Sequence, residues 1–173
     1  GDFGPYANNP QGLKQFLDQL GLKAAGAHVG FDKFNDKNFY ATVAFYQTLG
    51  CQNLIVRWDD RIATKNGALQ VAKELREVAV KLRAFGMRTG YHNHHEEMLE
   101  VEGKTIWQWI ADNTPAEVIL QQDVGWTTYA GKNPIEFVRM YPGRTLLTHY
   151  KAKLPKGESG TPIIGKDRIQ WKP

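Results

Sequence analysis

The sequence predicts an α/β fold, a parallel sheet covered by helices. Three observations predict it. Helix-like and strand-like patterns alternate five times along 173 residues. The strands are near-continuous apolar runs, as in sheets buried on both faces. Polar side chains recur at the strands' C-terminal ends: His28, Trp58, His92 with His94, Asp123 and His149. Right-handed crossovers leave an open doubly wound sheet or a (β/α) barrel, and both place their sites at those ends. No glycine-rich phosphate loop follows any strand, so the barrel is favoured. A complete barrel takes about 250 residues, more than this chain has.

The elements follow in order. Asn9-Pro10 precedes Leu13, Phe16, Leu17 and Leu20, an Asn cap with Pro at the first helical position, and Gly21 ends that helix. Residues 24–29 read as a short buried strand. Asp36 is the expected cap of a second helix bearing Phe39, Val43 and Tyr46, stopped by Gly50. Residues 53–58 form the next strand, rich in β-branched residues. The longest helix is expected from Gly67 to Phe85, with Leu69, Ala72, Leu75, Val78, Ala79 and Leu82 at helical spacing and Gly86 closing it. A strand runs from Met87 to His94. After a turn at Gly103, Ile106, Trp107 and Ile110 fit a shorter helix that ends at Asn113-Thr114-Pro115. Residues 118–123 are a strand, Asn133-Pro134 opens another helix, and Arg144–His149 is the last clear strand. The whole of 1–173 is expected to be one domain.

Hydrophobic residues at 42% and charged ones at 23% describe an ordinary globular chain and exclude a disordered one. No apolar run is long enough to span a bilayer and no signal-peptide pattern opens the chain, so no membrane partner and a cytoplasmic location are expected, periplasmic if a leader was removed. The net charge of +4 is spread out, dense only over 151–156, which argues against nucleic acid as a partner. The lone Cys51 reads as a small buried hydrophobe.

The chemistry concentrates in Tyr91-His92-Asn93-His94-His95-Glu96-Glu97, three imidazoles and two carboxylates in six residues from His92 to Glu97. That is a dense set of metal-ligating groups. Along a strand His92 and His94 share a face, and Glu97 follows within reach once the chain turns. His95 reads as a loop residue and Glu96 as solvated. Asp123 ends an apolar strand, where a carboxylate is costly to bury unless it is paired or binds a metal; it could also cap the next loop. By itself His149 fits a ligand or a hydrogen-bonded core histidine. Lys151 shares its face, either as a cation for a developing oxyanion or substrate anion or as a solvated strand end. Trp58 and Trp126 suit stacking on a sugar or packing in the core, and His28 faces the pocket or packs.

Four motifs, residues 20–29, Gly90-Tyr91-His92-Asn93-His94, Gln122-Asp123-Val124-Gly125-Trp126, and Tyr141-Pro142-Gly143-Arg144 leading to Thr148-His149-Tyr150-Lys151, stand in the order and spacing of a known family. The chain resembles the sugar phosphate isomerase/epimerase family of xylose isomerase-like TIM barrels. The resemblance implies a partial barrel, about strands three to seven of eight and incomplete at both ends, with residues 164–171 similar to the approach to the last strand. A second copy completing the open edges would make a homo-oligomer. It implies a divalent metal (Mn²⁺, Mg²⁺ or Co²⁺ before Zn²⁺) on Glu97, Asp123 and His149, with His94 an alternative ligand and the last strand's glutamate absent. His92, His94, Glu97 and Lys151 would be catalytic, and His28, Trp58 and Trp126 would bind substrate. The implied reaction is isomerisation or epimerisation of a keto-sugar through an enediolate. A dehydratase or lyase using the same site is the alternative, then a non-catalytic carbohydrate-binding protein, and last an apurinic endonuclease.

Overall fold

A computed structural model describes residues 3–154, 157–167, 169 and 171. Five parallel strands form one sheet in the order β1 (Ala27–Val29), β2 (Asn53–Val56), β3 (Arg88–His92), β6 (Ile119–Asp123), β7 (Thr148–His149). A short antiparallel hairpin, β4 (Glu100–Val101) and β5 (Lys104–Thr105), turns at Glu102 and Gly103, both with positive φ. The sheet is a half-barrel. Its edge strands curl towards each other, so that Leu147 packs against Gly26 and the rings of His28 and His149 lie 6.0 Å apart.

The helices are α1 (Pro10–Gln19), α2 (Phe39–Thr48), α3 (Lys65–Arg83), α4 (Ile106–Asp112), α5 (Val124–Tyr129) and α6 (Pro134–Met140). Caps fix where most of them start. Asn9 Oδ1 accepts from Gly12 N, Thr64 Oγ1 from Gly67 N and Asn133 Oδ1 from Ile135 N. Thr105 and Gln108 form a reciprocal capping box for α4.

Strand alternation sorts the sheet into two faces. Leu54, Val56, Tyr91, Val118 and Leu120 belong to the main core, packed with Leu75, Val78, Leu82, Ile106 and Trp107 from the helices. His28, Ile55, Gly90, Ile119, Gln121 and Asp123 alternate with that set and turn into the barrel. Gly90 is required there, since a Cβ would collide with Ile119 and meet Ile55. Parallel pairing in register sets His92 beside Gln121 and Asp123 beside His149.

Several expectations need correction. Asp36 does not cap α2; it is exposed and reaches Lys81 (3.2 Å), while Asn35 closes the turn by accepting from Asn38 N. The last strand is only Thr148–His149. Arg144, expected to begin it, is instead buried and donates to Val118 O, Ala111 O and Thr114 Oγ1, fastening the end of α4 to the start of β6. The six-residue α5 was not expected, nor was pairing in the hairpin at Gly103. Of residues 164–171, Arg168 and Gln170 lie outside the described residues, and the rest carries turns and bends with no strand; Gly1, Asp2, Pro155 and Lys156 also lie outside. No described helix is long and apolar enough to cross a membrane.

Candidate metal centre

Three strand ends meet inside the half-barrel. His92 closes β3, Asp123 closes β6 and His149 closes β7, and one ligand atom from each lies within 4.8 Å of the others. Asp123 Oδ2 is 2.9 Å from His149 Nδ1 and 3.7 Å from His92 Nε2. Asp123 is fully buried and His92 is 2% exposed, while the His149 side chain is 42% exposed and opens the group to the mouth. The two oxygens of Asp123 divide the work: Oδ1 accepts from Trp126 N and caps α5, and Oδ2 faces the histidines.

Asp123 Oδ2, His149 Nδ1 and His92 Nδ1 are buried with no hydrogen-bond partner among the described residues. The short approach of Oδ2 to His149 is therefore not aligned as a hydrogen bond. Buried polar atoms are ordinarily paired, and leaving them open costs stability unless something else fills the site. Two imidazole nitrogens and one carboxylate oxygen suit a divalent cation, a set of three with room for further ligands being the pattern of reactive rather than structural sites.

Glu97 is not in this group. After β3 the chain makes one turn of 3₁₀-helix, Glu96–Met98, which swings the Glu97 carboxylate to the outward face. There it is fully buried and accepts from Tyr91 Oη (3.1 Å) and His94 N (2.6 Å). Burial raises its pKa to about 7, against the pull of those donors. The structure thus brings Asp123 and His149 together as expected but sets His92, not Glu97, beside them.

The remaining expected residues ring the cluster. The His92 ring lies 4.7 Å from His28, 4.8 Å from His94 and 5.1 Å from His149. Burial first, and then these neighbouring imidazoles, hold the His92 pKa down to about 2, so its ring is neutral with a lone pair to offer. Burial also lowers His94 and His28. His94 stands between Trp58 (5.3 Å) and Trp126 (5.8 Å). Lys151 lies over Trp126, 4.9 Å from the ring centroid. His95, expected in a loop, stacks on the same indole at 5.1 Å. A cavity of about 550 Å³ reaches the cluster at His28 and extends past Arg57, Lys33 and Tyr46.

Sequence reasoning missed the residues that hold the ligands still. Asn93 is fully buried, accepts from Asp123 N (2.8 Å) and donates to Thr127 Oγ1 (2.9 Å), tying the end of β3 to the end of β6. Thr127 also takes the amide of Gln122 and donates to Asp123 O. Gln121 Oε1 accepts from His28 Nε2 at 2.6 Å. The available signal was strand alternation, which places Gln121 and Asp123 on the face shared by His28 and His92.

Known proteins can now be set beside this geometry. A sugar phosphate isomerase/epimerase from Parabacteroides distasonis superposes with a TM-score of 0.75 at 23% identity, over 92% of this chain and 66% of that one. The fold is that of the xylose isomerase-like barrels. The IOLI protein, solved with a bound zinc atom, superposes at a TM-score of 0.62 and 14% identity, over 95% of this chain and 66% of its own. By sequence, inosose dehydratase from Geobacillus kaustophilus is 25% identical across 84% of this chain and 54% of its own length, so the chain spans about half of that relative. No protein-family profile matches the chain.

Proposed function

We propose that the protein is a metal-dependent enzyme that removes a proton next to the carbonyl of a keto-sugar and returns it elsewhere, as an isomerase or epimerase. One observation carries this reading: His92, Asp123 and His149 converge at the C-terminal ends of three barrel strands, with Asp123 Oδ2 and His149 Nδ1 buried and unpaired. These three residues would hold the cation. Two imidazoles to one carboxylate favour Zn²⁺, Co²⁺ or Mn²⁺ over Mg²⁺. Such an ion, when bound, polarises a carbonyl and acidifies the adjacent C–H.

The protein's own groups do the rest. His94, kept neutral by burial and standing on the inward side with His92, is the base that takes the proton. Lys151 brings positive charge to the rim, where it balances charge developing on a substrate oxygen. Trp58 and Trp126 offer apolar ring faces on either side of His94 for the sugar carbons. His28, oriented by Gln121, is placed to bond a hydroxyl. Glu97 is a positioning residue: by accepting from His94 N it fixes the turn that presents the imidazole.

A second reading is elimination, favoured by the similarity to an inosose dehydratase. It begins with the same proton removal; the β-hydroxyl then leaves with the C–O bonding pair and a proton, as water. Solvent-deuterium exchange tests both at once. In D₂O, metal-loaded protein is expected to exchange the proton beside the carbonyl of at least one keto-sugar in a panel, and chelator-stripped protein to lose that exchange. Product analysis then separates an isomer or epimer from a dehydrated sugar. Undiminished exchange in the stripped protein, or none on any sugar in the loaded one, contradicts the proposal.

A further inference from the structure

Gln121 is polar where an apolar strand would ordinarily place a hydrophobic residue. It lies between Ile119 and Asp123 on the inward face of β6, is 9% exposed, and stands beside His92 in the β3–β6 register. A buried amide is costly unless it is hydrogen-bonded. The bond that satisfies it crosses the barrel, from His28 Nε2 on β1 to Gln121 Oε1 at 2.6 Å. That bond has a direction. An amide oxygen only accepts, so Nε2 carries the hydrogen, and in a neutral imidazole the other nitrogen then keeps its lone pair. Burial lowers the His28 pKa, which keeps the ring neutral. Among the described residues this is the ring's one hydrogen bond, so Nδ1 is open. The half-buried ring lines the cavity and lies 4.7 Å from that of His92. The carboxylates of the region are committed elsewhere. Asp123 Oδ1 caps α5, its Oδ2 faces the other histidines, and Glu97 accepts from Tyr91 and the His94 amide.

We infer that Gln121 is a positioning residue: by holding the hydrogen of His28 on Nε2 it presents Nδ1 as an acceptor, so that the centre selects substrates with a hydroxyl next to the carbonyl and receives that hydroxyl as a hydrogen-bond donor. The tautomer rests on the geometry alone; that the hydroxyl belongs to a keto-sugar rests on the function proposed above. The opposite tautomer would aim an N–H at the substrate and suit a developing oxyanion, a part that the Lys151 cation already supplies. A site that reads a hydroxyl in this way rejects an analogue lacking it, because its acceptor is then left unpaired.

Long-range proton–nitrogen correlation spectra of Zn²⁺-loaded, histidine-labelled protein read the tautomer directly, with the His28 signals assigned by their loss in His28→Asn. The native ring should carry its hydrogen on Nε2. Gln121→Leu, which leaves that hydrogen facing a methyl group, should bring in the Nδ1–H form. Gln121→Glu, whose carboxylate also accepts, should restore the native tautomer. A native Co²⁺ absorption spectrum in Gln121→Leu certifies that the fold and the ligand set are intact. Calorimetry of the metal-loaded protein then compares D-fructose with its 1-deoxy and 3-deoxy analogues. At least one analogue is expected to bind about fivefold or more weakly, the loss of one hydrogen bond with its acceptor left open. The deficit should shrink towards unity in Gln121→Leu and persist in Gln121→Glu. Hydrogen on Nδ1 in the native ring, a tautomer indifferent to Gln121→Leu, or equal affinity for all three sugars overturns the inference. The two claims fail separately. Metal-dependent exchange together with an Nδ1–H ring removes the positioning role and keeps the enzyme. The Nε2–H tautomer with Gln121-dependent hydroxyl selection, but no exchange on any sugar, removes the enzyme and keeps the positioning role.

Discussion

On the outward side of β3 and its following turn, the Tyr91 hydroxyl and the His94 amide both donate to the Glu97 carboxylate, and that network is closed. On the inward side, one residue along from Tyr91, His92 faces Asp123 and His149 and none of the three completes a hydrogen bond with another. Both carboxylates are fully buried and both sit among neighbouring polar groups, so carboxylate burial and residue type do not distinguish the two networks. Satisfaction does. A closed polar network fixes a local conformation, whereas an open one at the mouth of a barrel holds its lone pairs for a ligand.

Breaking the inward network should produce the largest effect. Asp123→Asn keeps an oxygen to cap α5 but weakens the cation's charged ligand, and metal affinity is expected to fall about 100-fold or more, as removal of a ligand should exceed the loss of an outer partner. Calorimetry checks it, with melting expected to stay close to native in the absence of metal. Breaking the outward network should do the reverse. Glu97→Ala strands the His94 amide and the Tyr91 hydroxyl in the core and is expected to cost about 2–3 kcal/mol of stability by denaturant melts, with metal affinity changed by only a few-fold. Asn93 touches both sides of the comparison, since it follows the inward-facing His92 and holds the Asp123 backbone. Asn93→Ala should lower stability by about 1–2 kcal/mol and metal affinity by about tenfold, measured by the same two methods.

The outward network also carries a pH dependence. Burial raises the Glu97 pKa from its ordinary 4.5 to about 7. The folded state therefore keeps a proton that the unfolded chain releases in between, so this contribution is fully present below pH 4.5 and is lost as pH rises through about 7. Glu97→Gln should flatten that slope when melts are compared across the window. An identical slope in the variant would assign it to other groups.

The alternation of helices and strands, the barrel class and the strand-end positions of Asp123 and His149 were legible because each rests on a repeating pattern. Apolar runs of fixed period mark strands, and in-register parallel pairing carries neighbouring strand ends to one place. The side taken by Glu97 was not legible, because one turn of 3₁₀-helix between His94 and Met98 decides it and spacing alone fits either face. The cap of α2 was misread for a related reason: Asn35, Asp36 and Asn38 are all capping residues, and the winner depends on which carbonyl and amide meet. The helix α5 is too short to show periodicity, and its two threonines read as loop or strand. Arg144 carries no pattern that marks it as buried, since three carbonyl and hydroxyl acceptors from distant segments are what make burial tolerable.

His92 and Glu97 compete for the place of third ligand, and Co²⁺ titration followed by visible absorption judges between them, because the bands report directly on the atoms around the ion. Glu97→Gln should bind Co²⁺ with the native spectrum and nearly native affinity, while His92→Ala should lose the spectrum and most of the affinity. The opposite pattern, with His92→Ala native and Glu97→Gln deficient, would contradict the assignment of the inward face as the metal centre.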